Sequence, residues 1–336
     1  MKFILLADPH SGVKKANDHW LDLFLVLYSQ ICEEAKKRSI KHFICVGDQF
    51  HNRSSISVKT LSKNVKVRRL LQDTFDESYF IVGNHDMFYK DQHMPSALEI
   101  FSDHKGITIV DKPTTLDKNI VLVPYLFENS IFKTPNIDFM IGHFDINGIR
   151  LNKSGVESKG FTLNQSDFKK YKRVFSGHFH TKGDYGNIHY LGSPYHMEFG
   201  DDGARGYYIF DTETNELEFI EFSDAPKFVT VTHDQLTGRE DVNGNIVKLV
   251  FTEDIGTNES QKIINQMNEW EPLQLIPKFD FDKKFTNTKQ IEGEEVVIKD
   301  NKELLKGYIE ESGIPENLNK TVLLDIIDTF YKELVQ

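Results

Sequence analysis

The sequence predicts an α/β protein whose chemistry sits where strands end, and three observations carry that expectation. Five apolar runs within the first 180 residues have the length and the aromatic or β-branched content of short buried strands. Each run leads at once into a cluster of Gly, Asp, Asn or His. Helix-period stretches then appear later in the chain.

In order, residues 2–7 (KFILLA) lead into Asp8-Pro9-His10, and residues 42–46 (HFICV) into Gly47-Asp48-Gln49-Phe50-His51. Residues 79–82 (YFIV) lead into Gly83-Asn84-His85-Asp86, residues 138–141 (DFMI) into Gly142-His143, and residues 173–176 (RVFS) into Gly177-His178-Phe179-His180. Strand ends on one rim of a sheet lie close in space, so residues far apart in sequence can converge on one site. A hairpin is expected over residues 206–211 and 216–222 about Thr214-Asn215, and Ser223-Asp224-Ala225-Pro226 reads as a domain boundary. Beyond it lie strand-like residues 227–232 and 245–252, a helix over 259–270 capped by Asn258, and strand-like residues 273–281. Residues 300–336 read as two amphipathic helices broken at Gly313-Ile314-Pro315. Leu304, Leu305, Tyr308 and Ile309 line the first, and Leu318, Val322, Leu323, Ile326, Ile327, Phe330 and Leu334 the second.

The donor set in the five motifs is Asp8, His10, Asp48, Asn84, His143, His178 and His180, without a thiolate. Mixed hard oxygens and imidazoles suit manganese, iron or zinc better than magnesium or calcium. Such a set is too large for one tetrahedral zinc and fits two ions that share a bridging carboxylate and keep positions open for water and substrate. With only Asp8 and Asp48 anionic, two divalent ions leave a net charge of about +2, which attracts phosphate.

This ordered pattern resembles the calcineurin-like metallophosphoesterase superfamily, whose hallmark is Asp-x-His, Gly-Asp, Gly-Asn-His-Asp/Glu, His and Gly-His-x-His. More narrowly it resembles the SbcD family of recombination nucleases, through Gly47-Asp48-Gln49-Phe50-His51, Tyr190-Leu191-Gly192-Ser193-Pro194 and Arg205-Gly206-Tyr207-Tyr208-Ile209-Phe210-Asp211. The resemblance implies a two-sheet β-sandwich flanked by helices, the four-layer metallophosphoesterase fold, over residues 1–223. It further implies a small α+β capping domain that guides DNA over residues 224–299, and a C-terminal helical hairpin for an ATPase partner over residues 300–336.

The resemblance also implies roles. One ion would be held by Asp8, His10 and His180, the other by Asn84, His143 and His178, with Asp48 between them and hydroxide as the nucleophile. His85 would approach the phosphate without binding metal, and His51 would position the DNA strand. Protein phosphatases carry an acidic residue at position 51 followed by Arg-Gly, whereas here Asn52-Arg53-Ser54 follow. Ser11 stands where many family members have Leu, with an effect expected on local packing only. The implied activity is two-metal, manganese-dependent exonuclease and endonuclease cleavage of DNA in end processing, recombination and repair. The implied assembly is a homodimer with an SMC-like ATPase of the SbcC class. A phosphatase or cyclic-nucleotide phosphodiesterase on the same scaffold, and a non-catalytic DNA-end-binding scaffold, are the alternatives.

Composition bounds the rest. Lys+Arg number 40 and Asp+Glu 51, so the formal charge is 40 minus 51, or −11, unusual for a protein that binds DNA unaided. Basic clusters at residues 59–69 and 169–173 could border a cleft or be solvated helix faces. His19, His42, His93, His104, His189, His196 and His233 read as ordinary surface or core residues, with His196 a candidate for the cleft. Asp86 is open between orienting His85 and capping the next turn. Cys32 and Cys45 lie among apolar residues and suggest no disulfide framework. The apolar start is cut short by Asp8, and no stretch has the length of a signal or membrane segment. A cytoplasmic protein with no membrane contact is expected.

Overall fold

The first strand divides its side chains between two cores, and that division sets the layers. In the computed structural model, which describes residues 1–117, 119–149, 158, 163–236, 238–280 and 321–324, the chain runs in order through β1 (Lys2–Leu6), the single turn α1 (Val13–Ala16), α2 (Asp18–Arg38), β2 (His42–Cys45), α3 (Val58–Gln72) and β3 (Glu77–Ile81). It continues through β4 (Ile107–Val110), β5 (Thr114–Asp117), β6 (Ile120–Val123), β7 (Phe139–His143), β8 (Arg173–Gly177), β9 (Gly183–Tyr185), β10 (Ile188–Tyr190), β11 (Gly206–Asp211) and β12 (Glu216–Glu221). Two six-stranded sheets result, one in the order β12-β11-β1-β2-β3-β4 and the other in the order β5-β6-β7-β8-β10-β9.

Successive strand residues point to opposite faces. Phe3, Leu5, Ile44, Val46 and Ile81 of the first sheet therefore meet Ile120, Leu122, Phe139, Ile141 and Phe175 of the second. Their neighbours Ile4, Leu6, Phe43, Cys45 and Phe80 face α2 and α3. The outer face of the second sheet packs Val121, Met140 and Val174 under Phe144, Phe168 and Tyr171. This is the expected two-sheet sandwich with helical flanks.

Helix α2 buries Trp20, Leu23, Phe24, Leu27, Tyr28, Ile31 and Ala35, a three-and-four spacing that forms one apolar stripe. Asn17 caps its start by accepting the His19 N–H at 2.9 Å. Along α3, Lys59 pairs with Asp18 at 2.8 Å and Lys63 pairs with Asp22, so much of the first basic cluster is committed to helix-helix ion pairs. In the second, Lys172 pairs with Asp138 at 2.8 Å.

The expected strands are present with shifted ends. β3 starts at Glu77 rather than 79, and Gly142, His143 and Gly177 finish their strands rather than follow them. In each case the parallel ladder carries pairing further, as in His143 opposite Gly177. The hairpin turns at Asn215, whose φ of 60° is left-handed.

After residue 226 come β13 (Phe228–Thr232), α4 (Arg239–Val242), β14 (Ile246–Phe251), α5 (Thr257–Glu269) and β15 (Gln274–Phe279), with the three strands forming a separate parallel sheet. Parallel neighbours need crossovers, which α4 and α5 provide. The α5 N-cap is Gly256, not Asn258, because the helix begins two residues before the expected Glu259. Phe228 anchors this sheet against Trp20 and Phe199, with ring centroids 6.1 and 5.1 Å away.

The chain divides into units Met1–Phe279 and Asp280–Gln336. The expected C-terminal hairpin lies outside the described residues except for helical residues 321–324. Among the described residues no helix is long and apolar enough to cross a membrane.

Phe210 sits between the sheets, its ring 5.0 Å from Phe139 and 4.7 Å from Phe175, and is fully buried. Phe210→Ala should cost about 3–5 kcal/mol of unfolding free energy in denaturant titrations. A loss below about 1 kcal/mol would mean that the two sheets do not share this core.

Candidate metal centre

The five motifs meet on one rim of the sandwich, and the chain is bent to bring them there. Asp8, His10, Asp48 and His178 all have left-handed φ, at 50°, 43°, 53° and 87°. Such conformations cost non-glycine residues about 1–3 kcal/mol each and persist where the surroundings over-determine them. Here the surroundings are a second ladder beyond the strand ends: His10 N–H donates to Asp48 O at 3.0 Å, Ser11 N–H to Gln49 O at 2.8 Å and His51 N–H to Ser11 O at 3.0 Å. The first two motif loops are thereby zipped side by side. Gly47 has φ +96°, and a Cβ there would lie 2.2 Å from His143 Nδ1, so this position requires glycine.

All seven sequence-predicted donors are brought together. His143 donates from Nδ1 to Val46 O at 2.9 Å, which turns its bare Nε2 towards Asn84 Oδ1 at 3.0 Å and Asp48 Oδ2 at 3.4 Å. His178 Nδ1 lies 2.9 Å from the same Asn84 oxygen, while its backbone N–H donates to Asp8 at 3.0 Å. His10 Nε2 faces His180 Nε2 at 3.0 Å and Asp48 Oδ2 at 3.7 Å. Ligand atoms of Asp8, His10 and His180 lie within 4.8 Å of one another, as do those of Asp8, Asp48 and His143.

The chemistry of this set fits a divalent cation. An amide oxygen can only accept, and a histidine that donates from Nδ1 presents a lone pair at Nε2. The His143 Nε2 lone pair therefore points at the Asn84 amide oxygen across 3.0 Å, an arrangement that needs either an added proton or a cation between them. The His10 Nδ1 is buried and without a partner among the described residues.

Metal-free electrostatics tell the same story. Burial depresses His10 and His180 and takes His178 down to about 3. For His143 burial acts the same way, but the Asp48 and Asp8 carboxylates outweigh it and raise this imidazole to about 9. Burial lifts Asp8 to about 7, with Asp48 adding repulsion; for Asp48, burial is overcome by His143, His10 and His85, which hold it below the usual carboxylate range. One buried imidazolium thus supplies the positive charge that the carboxylates demand.

His85 adjoins the donors, with the ligand nitrogens of His10, His51 and His85 within 4.8 Å of one another. Its backbone N–H donates to Asp48 Oδ1 at 2.8 Å and its Nδ1 donates to His51 O at 2.8 Å, which leaves Nε2 for another partner. Its ring centroid is 4.9 Å from that of His10 and stacks on His51 at 5.9 Å. Asp86 takes neither expected role: its carboxylate accepts the Phe50 N–H at 2.9 Å and the Gly83 N–H at 3.0 Å, tying the second and third motif loops together. Ser11 does more than alter local packing. Its Oγ accepts from Asn64 at 2.7 Å, Asn64 accepts from Gln49 at 2.9 Å, and Gln49 accepts from Tyr28 at 2.5 Å, a buried polar chain beneath the metal-binding loops. His196 is buried and donates to Gly203 O at 3.0 Å rather than joining the cluster.

Sequence reasoning missed two neighbours. Tyr125 packs its ring 5.6 Å from His178 and 6.0 Å from His143, and Asp145 Oδ2 lies 3.9 Å from His178 Nε2. The only signal available was position: Asp145 is two residues beyond His143, and Tyr125 is two residues beyond the end of β6.

Residues 1–182 match the signature of the calcineurin-like phosphoesterases. The chain is 31% identical over 360 aligned positions to "Exonuclease subunit 1" of Enterobacteria phage T4, with 100% of each chain covered. Among solved structures, the crystal structure of Pseudomonas putida nuclease MPE is similar at 20% identity and a TM-score of 0.30, over 46% of this chain and 66% of that one.

For the metal-free protein the two shifted imidazoles act in opposite directions. His143, raised from 6.5 to about 9, contributes stability that is fully present below 6.5 and lost as pH rises through about 9. His178, lowered from 6.5 to about 3, makes stability fall as pH drops from 6.5 towards 3, because only the unfolded chain takes up that proton. Histidine NMR titration of metal-stripped protein should show His143 protonated through neutral pH and His178 neutral at mildly acidic pH. Both rings titrating near 6.5 would contradict the buried geometry.

Proposed function

The chain belongs to the calcineurin-like phosphoesterase family, and from that premise we propose that it is a two-metal DNA nuclease working beside an SMC-like ATPase. The observation that carries this reading is identity of 31% to an exonuclease subunit across the whole of both chains, well beyond the phosphoesterase signature that ends at residue 182. A phosphatase of small substrates has little need for the additional sheet and C-terminal segment that this similarity spans.

Asp8, His10 and His180 would hold one ion and Asn84, His143 and His178 the other, with Asp48 shared. Bound there, divalent ions bring the pKa of water from about 15.7 towards about 7 and withdraw charge from phosphoryl oxygens. The imidazoles of His10, His143, His178 and His180 favour manganese over magnesium, which prefers oxygen and keeps its waters.

The protein's own groups do the rest. His85 is oriented by His51 O and Asp48 so that its Nε2, in the doubly protonated ring, would donate to the charge developing on the phosphate or to the departing sugar oxygen. His51, whose ring stacks on that of His85, would hold the strand in register with that donor. Attraction of the polyanion falls partly to a partner, since the net charge is −11 and Lys59 and Lys63 are already paired. In this reading residues 224–299 cap the cleft, residues 300–336 dock on the ATPase, and two nuclease chains pair. The word "subunit" in the name of the phage relative accords with an assembly of that kind.

The test is cleavage of end-labelled duplex and hairpin DNA in manganese, with and without the ATPase. His85→Ala should still bind two manganese ions while turnover falls about 100- to 10,000-fold. Lost metal occupancy in that variant would make His85 a ligand and undo its assignment.

Removal of residues 300–336 should leave hydrolysis of a small model diester intact, because every proposed donor precedes residue 181. The same truncation should abolish co-purification with the ATPase. If the shortened protein aggregates or sheds its metal, the segment belongs to the nuclease's own core instead.

A further inference from the structure

Two stretches that mark the sequence as SbcD-like, residues 190–194 and 205–211, contribute none of the seven donors. In the structure both close on one atom, the carbonyl oxygen of His180. Ser193 donates to it from its backbone N–H at 3.0 Å, with its Oγ turned to donate to Tyr195 O at 2.9 Å, and Arg205 donates from Nη1. The approach is tight enough that a Cβ on Gly192, which has φ +73°, would lie 2.9 Å from the same oxygen.

Arg205 is itself held. Its Nη1 also reaches Ser193 Oγ at 3.2 Å and its Nη2 donates to Asp201 Oδ1 at 3.0 Å, while the second Asp201 oxygen accepts the Met197 and Glu198 N–H groups at 2.6 and 3.1 Å. The side chains of Arg205 and Asp201 are 4% and 5% exposed. A buried ion pair is weak support for stability, because desolvation offsets most of the attraction. What this pair does offer is direction: a planar guanidinium presents several donors in one rigid fork, here aimed at three acceptors on separate segments.

His180 is the donor that needs such help. The His143 ring is oriented from behind by Val46 O, but among the described residues no carbonyl or carboxylate is hydrogen-bonded to the second ring nitrogen of His180. Beyond its contact with the His10 ring, 4.9 Å away between centroids, its imidazole is placed through its backbone, which is fixed at the carbonyl. We propose that Arg205 is a positioning residue for the metal centre. Together with Ser193 and Asp201 it clamps the His180 main chain and so sets the position of the ion that Asp8, His10 and His180 would share. This rests on the two-ion reading above. It predicts a selective effect: loosening the clamp weakens one ion and spares the ion of Asn84, His143 and His178.

The experiment uses the full-length chain and manganese alone, with binding followed by titration calorimetry, electron paramagnetic resonance and thermal melting. Arg205→Met combined with Asp201→Asn removes the guanidinium without leaving a buried charge unpaired. It should weaken one manganese by about 10- to 100-fold and replace the spectrum of a coupled pair with that of an isolated ion. Arg205→Lys, which keeps Asp201 compensated but cannot span the acceptors, should show the same selective loss. It also covers the case in which the double variant does not fold. Unchanged binding of both ions, or equal weakening of both in every variant, overturns the proposal. His180→Ala separates the two readings: if it retains both ions, the ligand assignment fails first and the clamp fails with it.

Discussion

The centre depends on one buried carboxylate. Asp48 is 2% exposed, and both of its oxygens are engaged: Oδ1 takes the His85 N–H at 2.8 Å, and Oδ2 lies 3.4 Å from His143 and 3.7 Å from His10. A charge so far from water is tolerated only beside compensating charge and donors. Its left-handed backbone, the glycine before it and the paired loops of the first two motifs are all means of holding that carboxylate where strands of both sheets can reach it. In the metal-free protein His143 supplies the compensation by staying protonated, and in the proposed holoenzyme divalent ions take over. The imidazolium stands in for a metal, its pKa raised against burial by the Asp48 and Asp8 carboxylates beside it.

Much of this was legible in the sequence, and for a definite reason. Short buried strands announce themselves as apolar runs, and a metal site built on strand ends places its donors at the edges of those runs. The convergence of Asp8, His10, Asp48, Asn84, His143, His178 and His180 followed from that, and the two-sheet sandwich from the resemblance their ordered motifs carry. What stayed hidden were interactions whose partners are fixed only by tertiary folding. Asp86 binds backbone amides of Phe50 and Gly83, a role that neither helix capping nor side-chain orientation describes. Ser11 ends a buried hydrogen-bonded chain through Asn64, Gln49 and Tyr28, none of them near it in sequence. The α5 cap fell on Gly256 because asparagine propensity at position 258 is a weaker constraint than where β14 ends.

Net acidity and nucleic-acid chemistry are compatible in one way. Cationic side chains along α3 could have formed a phosphate track, but Asp18 and Asp22 of α2 hold Lys59 and Lys63. Such surface pairs contribute little to stability, generally below about 1 kcal/mol. Their larger effect is to reduce the protein's pull on polyanions. In the function proposed above, a nuclease with little cationic surface of its own would have its cutting governed by whatever delivers the strand, the part given there to the ATPase.

The division of donors between the sheets carries a last consequence. Asp8, His10, Asp48 and Asn84 follow strands β1, β2 and β3 of the first sheet, whereas His143, His178 and His180 belong to β7 and the end of β8 in the second. Under the proposed assignment each ion therefore draws ligands from both sheets and acts as a cross-link at the rim of the sandwich. Metal affinity and closure of the two layers then become one equilibrium, since ligands that must be brought together on folding lend their binding free energy to the fold. The apolar core between the sheets sets the spacing that the ions require, and the ions hold the rim that the core cannot reach. On this view the strained backbone at Asp8, His10, Asp48 and His178 is stabilised from both directions, by the hydrophobic layers below it and by the charges above.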